Sequence, residues 1–181
     1  MRLFIAIEIP GSMRAELTAL LKALKERSCG GRFVPPENFH ITLRFLGETD
    51  DLMGAVSAMR EAVRGIRPFT LTLGRYGFFE KTASGSHRVS LVDVNCDSDE
   101  LDILHETLES ALADNGFPRD MKRFRPHITL GRNVEHDELT DSELKAVELH
   151  STAPVAAITL FESSRVNGKQ VYTPLHRERL D

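Results

Sequence analysis

Apolar positions along this chain follow two periods, alternating over short runs and returning every three or four residues over longer ones. Leu3, Ile5 and Ile7 alternate with Phe4 and Ala6, which predicts a first strand buried on both faces. Ser12 can cap a helix whose Leu17, Leu20, Leu21 and Leu24 share one side, ended by Cys29-Gly30-Gly31. Residues 35–38 read as a turn and residues 39–46 as a strand. A second helix is predicted from about Asp51, with Leu52, Val56, Met59 and Val63 as its stripe. Phe69, Leu71 and Leu73 alternate with threonines, residues 89–94 form another strand, and residues 74–85 read as a loop between them. Leu101, Leu104, Leu108 and Leu112 mark a third helix that stops near Asn115-Gly116. Residues 127–130 make a short strand, a polar and partly helical stretch follows, and residues 155–161 and 170–175 are two final strands. Asn167-Gly168 between these last two is a hairpin signal. The sum is an α+β chain with mixed connections rather than regular βαβ alternation.

No low-complexity linker divides the 181 residues, so one domain spanning 1–181 is expected. Of the residues, 41% are hydrophobic and 28% charged, the balance of an ordinary globular protein. A formal charge of -4 argues against coating nucleic acid by bulk electrostatics, but leaves room for a local grip on one phosphate. Lys122, Arg123 and Arg125 form a basic cluster, and Asp97, Asp99, Glu100 and Asp102 an acidic one that reads as solvated surface. Cys29 and Cys96 are too few for a disulfide scaffold or a zinc site, and a reduced, cytoplasmic thiol pair is the default. The apolar start is closed by Glu8 and Pro10, too soon for a signal peptide or a membrane span. A cytoplasmic monomer without membrane attachment or protein partner is the expectation.

One feature of the chain is repeated. Phe39-His40-Ile41-Thr42-Leu43 in the first half is echoed by Pro126-His127-Ile128-Thr129-Leu130 in the second. Two related lobes facing a shared cleft are the simplest architecture for such an echo. Side chains alternate along a strand, so His40 and Thr42 point one way while Ile41 and Leu43 enter the core, and the second copy does the same. A rise of about 3.3 Å per residue puts each imidazole roughly 6.6 Å along the strand from its threonine, within reach of one phosphate group. Opening a cyclic phosphodiester needs a water that loses a proton and a ribose oxygen that gains one. One neutral and one protonated histidine supply both transfers, and two threonine hydroxyls can meet the non-bridging oxygens. Either tetrapeptide alone matches by chance too easily to carry this, whereas the repeat in corresponding halves carries it. Zinc competes poorly: it takes three or four ligands, and threonine is a weak one.

With the repeat go longer matching stretches: Arg2-Leu3-Phe4-Ile5-Ala6-Ile7, the run from His40 through Arg44-Phe45-Leu46-Gly47-Glu48, and Phe124-Arg125-Pro126 leading through His127 to Gly131-Arg132. Near the end, Leu160-Phe161-Glu162-Ser163, Gly168 and Tyr172-Thr173-Pro174-Leu175 complete the set. On these residues the chain resembles the two-histidine phosphoesterases. It looks most like their RNA 2′,3′-cyclic phosphodiesterases, historically called 2′-5′ RNA ligases, with Phe33 standing where many relatives have tryptophan. The resemblance implies a bilobal fold with two antiparallel sheets around a central cleft, helices outside and a pseudo-two-fold repeat. It implies hydrolysis of cyclic phosphate on RNA ends or nucleotides to a 2′-phosphomonoester, with ligation as the reverse reaction, and neither metal nor nucleotide cofactor. It makes His40 the proton donor and His127 the acceptor. Alternatives are a phosphodiesterase acting on another small cyclic or 2′-5′-linked nucleotide, and a nucleotide-binding module with little chemistry, for which two intact acid–base pairs have no use.

Five residues beyond each histidine stand Phe45 and Arg132. Related halves put them on opposite cleft walls, where they can bracket a base, provided a bulge turns each toward the histidine face. Gly131 suggests such a bulge for Arg132; Phe45 lacks one, and a core role competes. Arg44 shares the face of His40 if its strand stays regular, as a phosphate contact or as a solvated strand end. His105 reads as structural, His136, His150 and His176 as surface, and His87 as a residue near the cleft's approach but outside it.

Overall fold

The first strand lands in the middle of its own sheet. The computed structural model describes residues 1–80 and 88–181; His87 lies outside them. Strand β1 (Arg2–Glu8) is flanked by β3 (His40–Glu48) and β8 (Ala157–Val166), which explains why Leu3 through Ile7 are all buried. Around it the chain lays out α1 (Gly11–Glu26), β2 (Gly30–Phe33), α2 (Leu52–Ala62), β4 (Phe69–Phe79), β5 (Val89–Cys96) and α3 (Glu100–Asp114). It ends with β6 (His127–Glu135), α4 (Glu138–Ala146), β7 (Thr152–Val155) and β9 (Lys169–Arg179).

All strand pairings among the described residues are antiparallel. β3 meets β6 through the single pair Ile41–Ile128, the middle residues of the two repeated motifs. Outward from it the order is β3-β1-β8-β9 on one side and β6-β5-β4-β7 on the other. These are the two expected antiparallel sheets, joined at one point. The chain order β1-α1-β3-α2-β4, β2 aside, has its counterpart in β5-α3-β6-α4-β8, β7 aside, with β4 paired to β5 and β8 paired to β1, so each half lends a strand to the other.

One sheet face carries the core. Leu3, Ile5, Ile7, Ile41, Leu43, Ile128 and Leu130 pack there against Leu17 and Leu24 of α1, Met59 of α2, Leu104 and Leu108 of α3 and Leu144 of α4. The opposite face is curled and carries a smaller apolar cluster of Phe4, Ala6, Phe161 and Tyr172.

Local chemistry accounts for most boundaries. Asp51 caps α2, accepting from the Gly54 amide at 2.8 Å, and Asp137 caps α4, accepting from the Thr140 amide at 2.8 Å. Asn167 and Gly168 both have positive φ, 51° and 77°, as the tight hairpin between β8 and β9 requires. Other expectations are corrected. Ser12 does not cap α1, which starts at Gly11 behind Pro10. The α2 stripe is rotated: Ala55, Ala58, Met59 and Ala62 are buried, since small residues let α2 approach its neighbours closely, while Leu52 and Val56 are only half-buried. The expected loop from 74 is strand up to Phe79; a register shift between Leu73 and Tyr76 accommodates Gly74 against the Asp93 backbone. Strand β2 has no apolar alternation and forms by pairing with β6.

Candidate active site

The repeated strands carry the same irregularity. Ile5 pairs with Arg44 and Ala6 with Thr42, so β3 holds an extra residue at Leu43. Ser90 pairs with Gly131 and Leu91 with Thr129, so β6 holds an extra residue at Leu130. Each bulge puts two successive residues on the core side and returns the next to the histidine face. Phe45 is therefore 58% exposed, and Arg132 is exposed at the equivalent step. Gly131 is glycine because β2 crosses there: a Cβ would lie 2.7 Å from Val134 Cγ2 and 3.2 Å from the Arg32 carbonyl.

That bulge sends Arg44 the other way. Its guanidinium is buried, donating to both carboxylate oxygens of Glu109 at 2.8 Å and to the Pro118 carbonyl. Arg44 is thus neither a phosphate contact nor a solvated strand end. It ties β3 to α3, and Glu109 also accepts from the Asp120 amide at 3.0 Å.

On the curled face His40, Thr42, Phe45, His127, Thr129 and Arg132 line one cavity of about 420 Å³, within the range of about 300–1,000 Å³ usual for small-ligand sites. The two imidazoles are held alike. His40 Nδ1 donates to the Asn38 carbonyl at 2.7 Å, and His127 Nδ1 to the Arg125 carbonyl at 2.7 Å. A carbonyl only accepts, so in the neutral ring the proton sits on Nδ1 and Nε2 is left for the cavity. His40 Nε2 lies 3.0 Å from Thr42 Oγ1.

Burial holds both imidazoles below their ordinary range, opposed by the carbonyl bonds. For His40 the charges of His127 and Arg132 push the same way; for His127 Arg125 and Arg132 do, against Asp93. Arg132 thus acts on both histidines from the cavity wall. His127 has further support: Arg125 is paired bidentately with Asp93 at 2.9 Å, its guanidinium lies over Phe79, and Phe79 meets the His127 ring edge-on at 5.1 Å. His40 sits between Phe4, centroids 5.0 Å apart, and the edge of Tyr172 at 5.2 Å.

Phe4, Tyr172, Gln170 and Arg2 also line the cavity and went unnoticed in the sequence. Arg2, Phe4 and Tyr172 carried a signal, lying inside the matching stretches; Gln170 shows only once β9 lies beside β8 on the curled face. His105 stacks on Phe124 at 3.9 Å, as a structural residue would, and His150 is exposed. His136 is not a surface residue: its side chain is fully buried, bonded to Tyr76 of β4 at 3.0 Å and 3.5 Å from Asp141 of α4. His176 is half-buried and pairs with Glu178 at 2.7 Å. As for metals, the cavity offers two imidazoles but no carboxylate or thiolate, fewer than the three protein ligands of a catalytic zinc. Among the described residues no helix is long and apolar enough to cross a membrane, and both cysteines are free.

The family model of the 2′-5′ RNA ligase superfamily matches residues 11–167. A Thermotoga maritima protein named RNA 2′,3′-cyclic phosphodiesterase is 35% identical over 134 residues, 73% of this chain and 70% of that relative. An Escherichia coli protein of the same name is 32% identical over 178 residues, 97% and 94% of the two chains. The crystal structure of Escherichia coli LigT complexed with 3′-AMP superposes with a TM-score of 0.78 at 29% identity, covering 99% of this chain and 97% of that one. TT0787 of Thermus thermophilus gives 0.79 at 26% identity, covering 99% and 98%.

Proposed function

The chain belongs to the 2′-5′ RNA ligase superfamily, and from that premise we propose that it hydrolyses 2′,3′-cyclic phosphodiesters on RNA ends or nucleotides to 2′-phosphomonoesters by acid–base catalysis between His40 and His127. The observation that carries the reading is the matched pair of imidazoles. Each is fixed through Nδ1 to the carbonyl two residues upstream, and each keeps Nε2 for one shared cavity. A binding module needs no such pair of pre-set tautomers. The relatives' shared name and the nucleotide bound to LigT support the substrate class.

In this mechanism the cyclic phosphate lies between the strands. His127 Nε2 takes a proton from water as its oxygen attacks phosphorus. In line with that attack the bond to O3′ breaks, and His40 Nε2 gives O3′ its proton. Charge gathers on the non-bridging oxygens, where Thr42 and Thr129 donate. Protonating His40 helps: Nε2 then no longer accepts from Thr42 Oγ1, which frees the threonine hydroxyl for the phosphate and leaves Nε2–H for O3′. Phe45 and Arg132 bracket the base, and Arg132 also reaches the phosphate. With a 5′-hydroxyl in place of water the same steps give a 2′-5′ linkage, the ligase direction: His127 takes the hydroxyl proton, the bond to O3′ breaks and His40 gives O3′ its proton.

The test is a panel of cyclic mononucleotides, cyclic-phosphate-ended RNA and 2′-5′ dinucleotides, with products compared against authentic isomers. The reading expects turnover of the cyclic substrates and phosphate retained on O2′. A 3′-phosphate product would reverse the placement of the sugar between the histidines, and activity confined to 2′-5′ dinucleotides would replace the substrate class.

A further inference from the structure

The histidine cavity does not end at His127. Thr42, Phe45 and His127 form a wall it shares with a second recess of about 280 Å³, reaching under Lys122 and Arg123. That recess in turn shares Phe79, Arg123, Phe124 and Arg125 with a third, of about 660 Å³, which continues along Asp93 and Pro126. The three make one groove, starting at the candidate catalytic residues and running beside the segment between α3 and β6.

Its charge is set by the basic cluster that the catalytic reading leaves unused. Arg125 is spent on Asp93. Lys122 and Arg123 are exposed, and among the described residues neither side chain meets a carboxylate within ion-pair distance. The nearby Asp120 carboxylate accepts from the Lys122 amide at 3.0 Å. Two unpaired cations thus line a recess together with Asp120 and the rings of Phe45, Phe79 and Phe124, of which Phe45 is exposed. Alternating cation and ring is what a single nucleic-acid strand requires, since cations meet its phosphates and rings meet its bases. The -4 charge of the whole chain makes such a strip a local exception to the general field.

We infer that this groove holds the nucleotides upstream of the cyclic phosphate, with Lys122 and Arg123 neutralising two phosphates of a single RNA strand. The inference rests on the phosphodiesterase reading for which nucleotide sits at the histidines. It adds that the protein distinguishes an RNA end from a lone nucleotide, and by which residues.

The experiment compares wild type with the double variant Lys122→Ser, Arg123→Ser on two substrates. One is adenosine 2′,3′-cyclic phosphate; the other is a short oligoribonucleotide ending in the same group. Binding of the fluorescently labelled oligonucleotide is followed by anisotropy, which needs no turnover. Two neutralised phosphates on a single strand give a slope of about -1.4 in log affinity against log salt, or about sevenfold weaker binding for fourfold more salt. The wild type should show that extra sensitivity and the variant should lack it. The variant's KM should rise for the oligonucleotide, and its mononucleotide kinetics should match wild type. Equal salt dependence of oligonucleotide binding in the two proteins would overturn the inference, as would an equal loss on the mononucleotide. Failure of the wild type to turn over either substrate while it binds the oligonucleotide through these cations would count against the phosphodiesterase reading and leave the groove standing.

Discussion

Phe45 and Arg132 stand at the same step of two bulged strands, each five residues past its histidine and each opening on the same cavity. A bulge in each strand, which Gly131 signalled for β6 and no glycine signalled for β3, gives them that position. Phe45 packs on Phe4 with centroids 5.9 Å apart and keeps most of its surface free. If the two bracket a base, Phe45→Leu should raise KM for a cyclic nucleotide by about 5- to 150-fold, the equivalent of roughly 1–3 kcal/mol of stacking. A small cyclic phosphodiester without a base should be unaffected. Arg132→Met, assayed on the same two substrates, separates roles: loss on both assigns its guanidinium to the phosphate.

The pH dependence follows from burial. Both histidines are held below their ordinary value of about 6.5, so the free protein favours both imidazoles neutral. The proposed mechanism needs one of them protonated, which makes kcat/KM bell-shaped with an alkaline limb below about pH 6.5. A bound phosphate anion favours the protonated ring, so the alkaline limb of kcat should lie higher than that of kcat/KM. Full pH–rate profiles measure both, and a profile flat across this region would remove the two titrating groups.

Arg44 bears on stability rather than chemistry. Arg44→Met leaves Glu109 buried without its cation, a change that typically costs about 3–5 kcal/mol. Urea denaturation should show that loss. The double variant Arg44→Met, Glu109→Leu should recover part of it, since neither charge then remains to be desolvated, although the Asp120 amide loses its acceptor.

Chelators should leave turnover unchanged, because in the proposed mechanism side chains supply both proton transfers and the charge stabilisation. Loss of rate with EDTA, restored by one added divalent ion, would bring zinc back into consideration.

The parts of the fold written in local chemistry could be read directly. Leu101, Leu104, Leu108 and Leu112 are buried on one side of α3, and Asn167-Gly168 turns the final hairpin. The paired His-Ile-Thr-Leu motifs indicated two related halves, and Ile41–Ile128, the middle pair of the two motifs, is where the two sheets join. What escaped depends on neighbours distant in sequence. Strand β2 exists because β6 is beside it, Arg44 turns inward because β3 is bulged, and His136 is covered because Tyr76 of β4 and Asp141 of α4 close on it. The recess beside Lys122 and Arg123 arises only once the segment before β6 lies along β5. No run of residues announces any of these.

Assignment of donor and acceptor can be separated from the existence of the pair. A cyclic substrate with sulfur in place of O3′ releases a thiolate that needs no proton. His40→Ala should lose much less on that substrate than on the oxygen parent, and His127→Ala should lose the same on both. The reverse pattern would exchange the two roles.

The central claim is that two histidines do the chemistry together, and kcat/KM of His40→Ala and His127→Ala on adenosine 2′,3′-cyclic phosphate tests it most directly. Each variant is expected to fall by about 10²–10⁴-fold with its unfolding temperature close to wild type, as their Nε2 atoms face a cavity rather than the core. A folded variant at either position that retained near-wild-type kcat/KM would contradict the account.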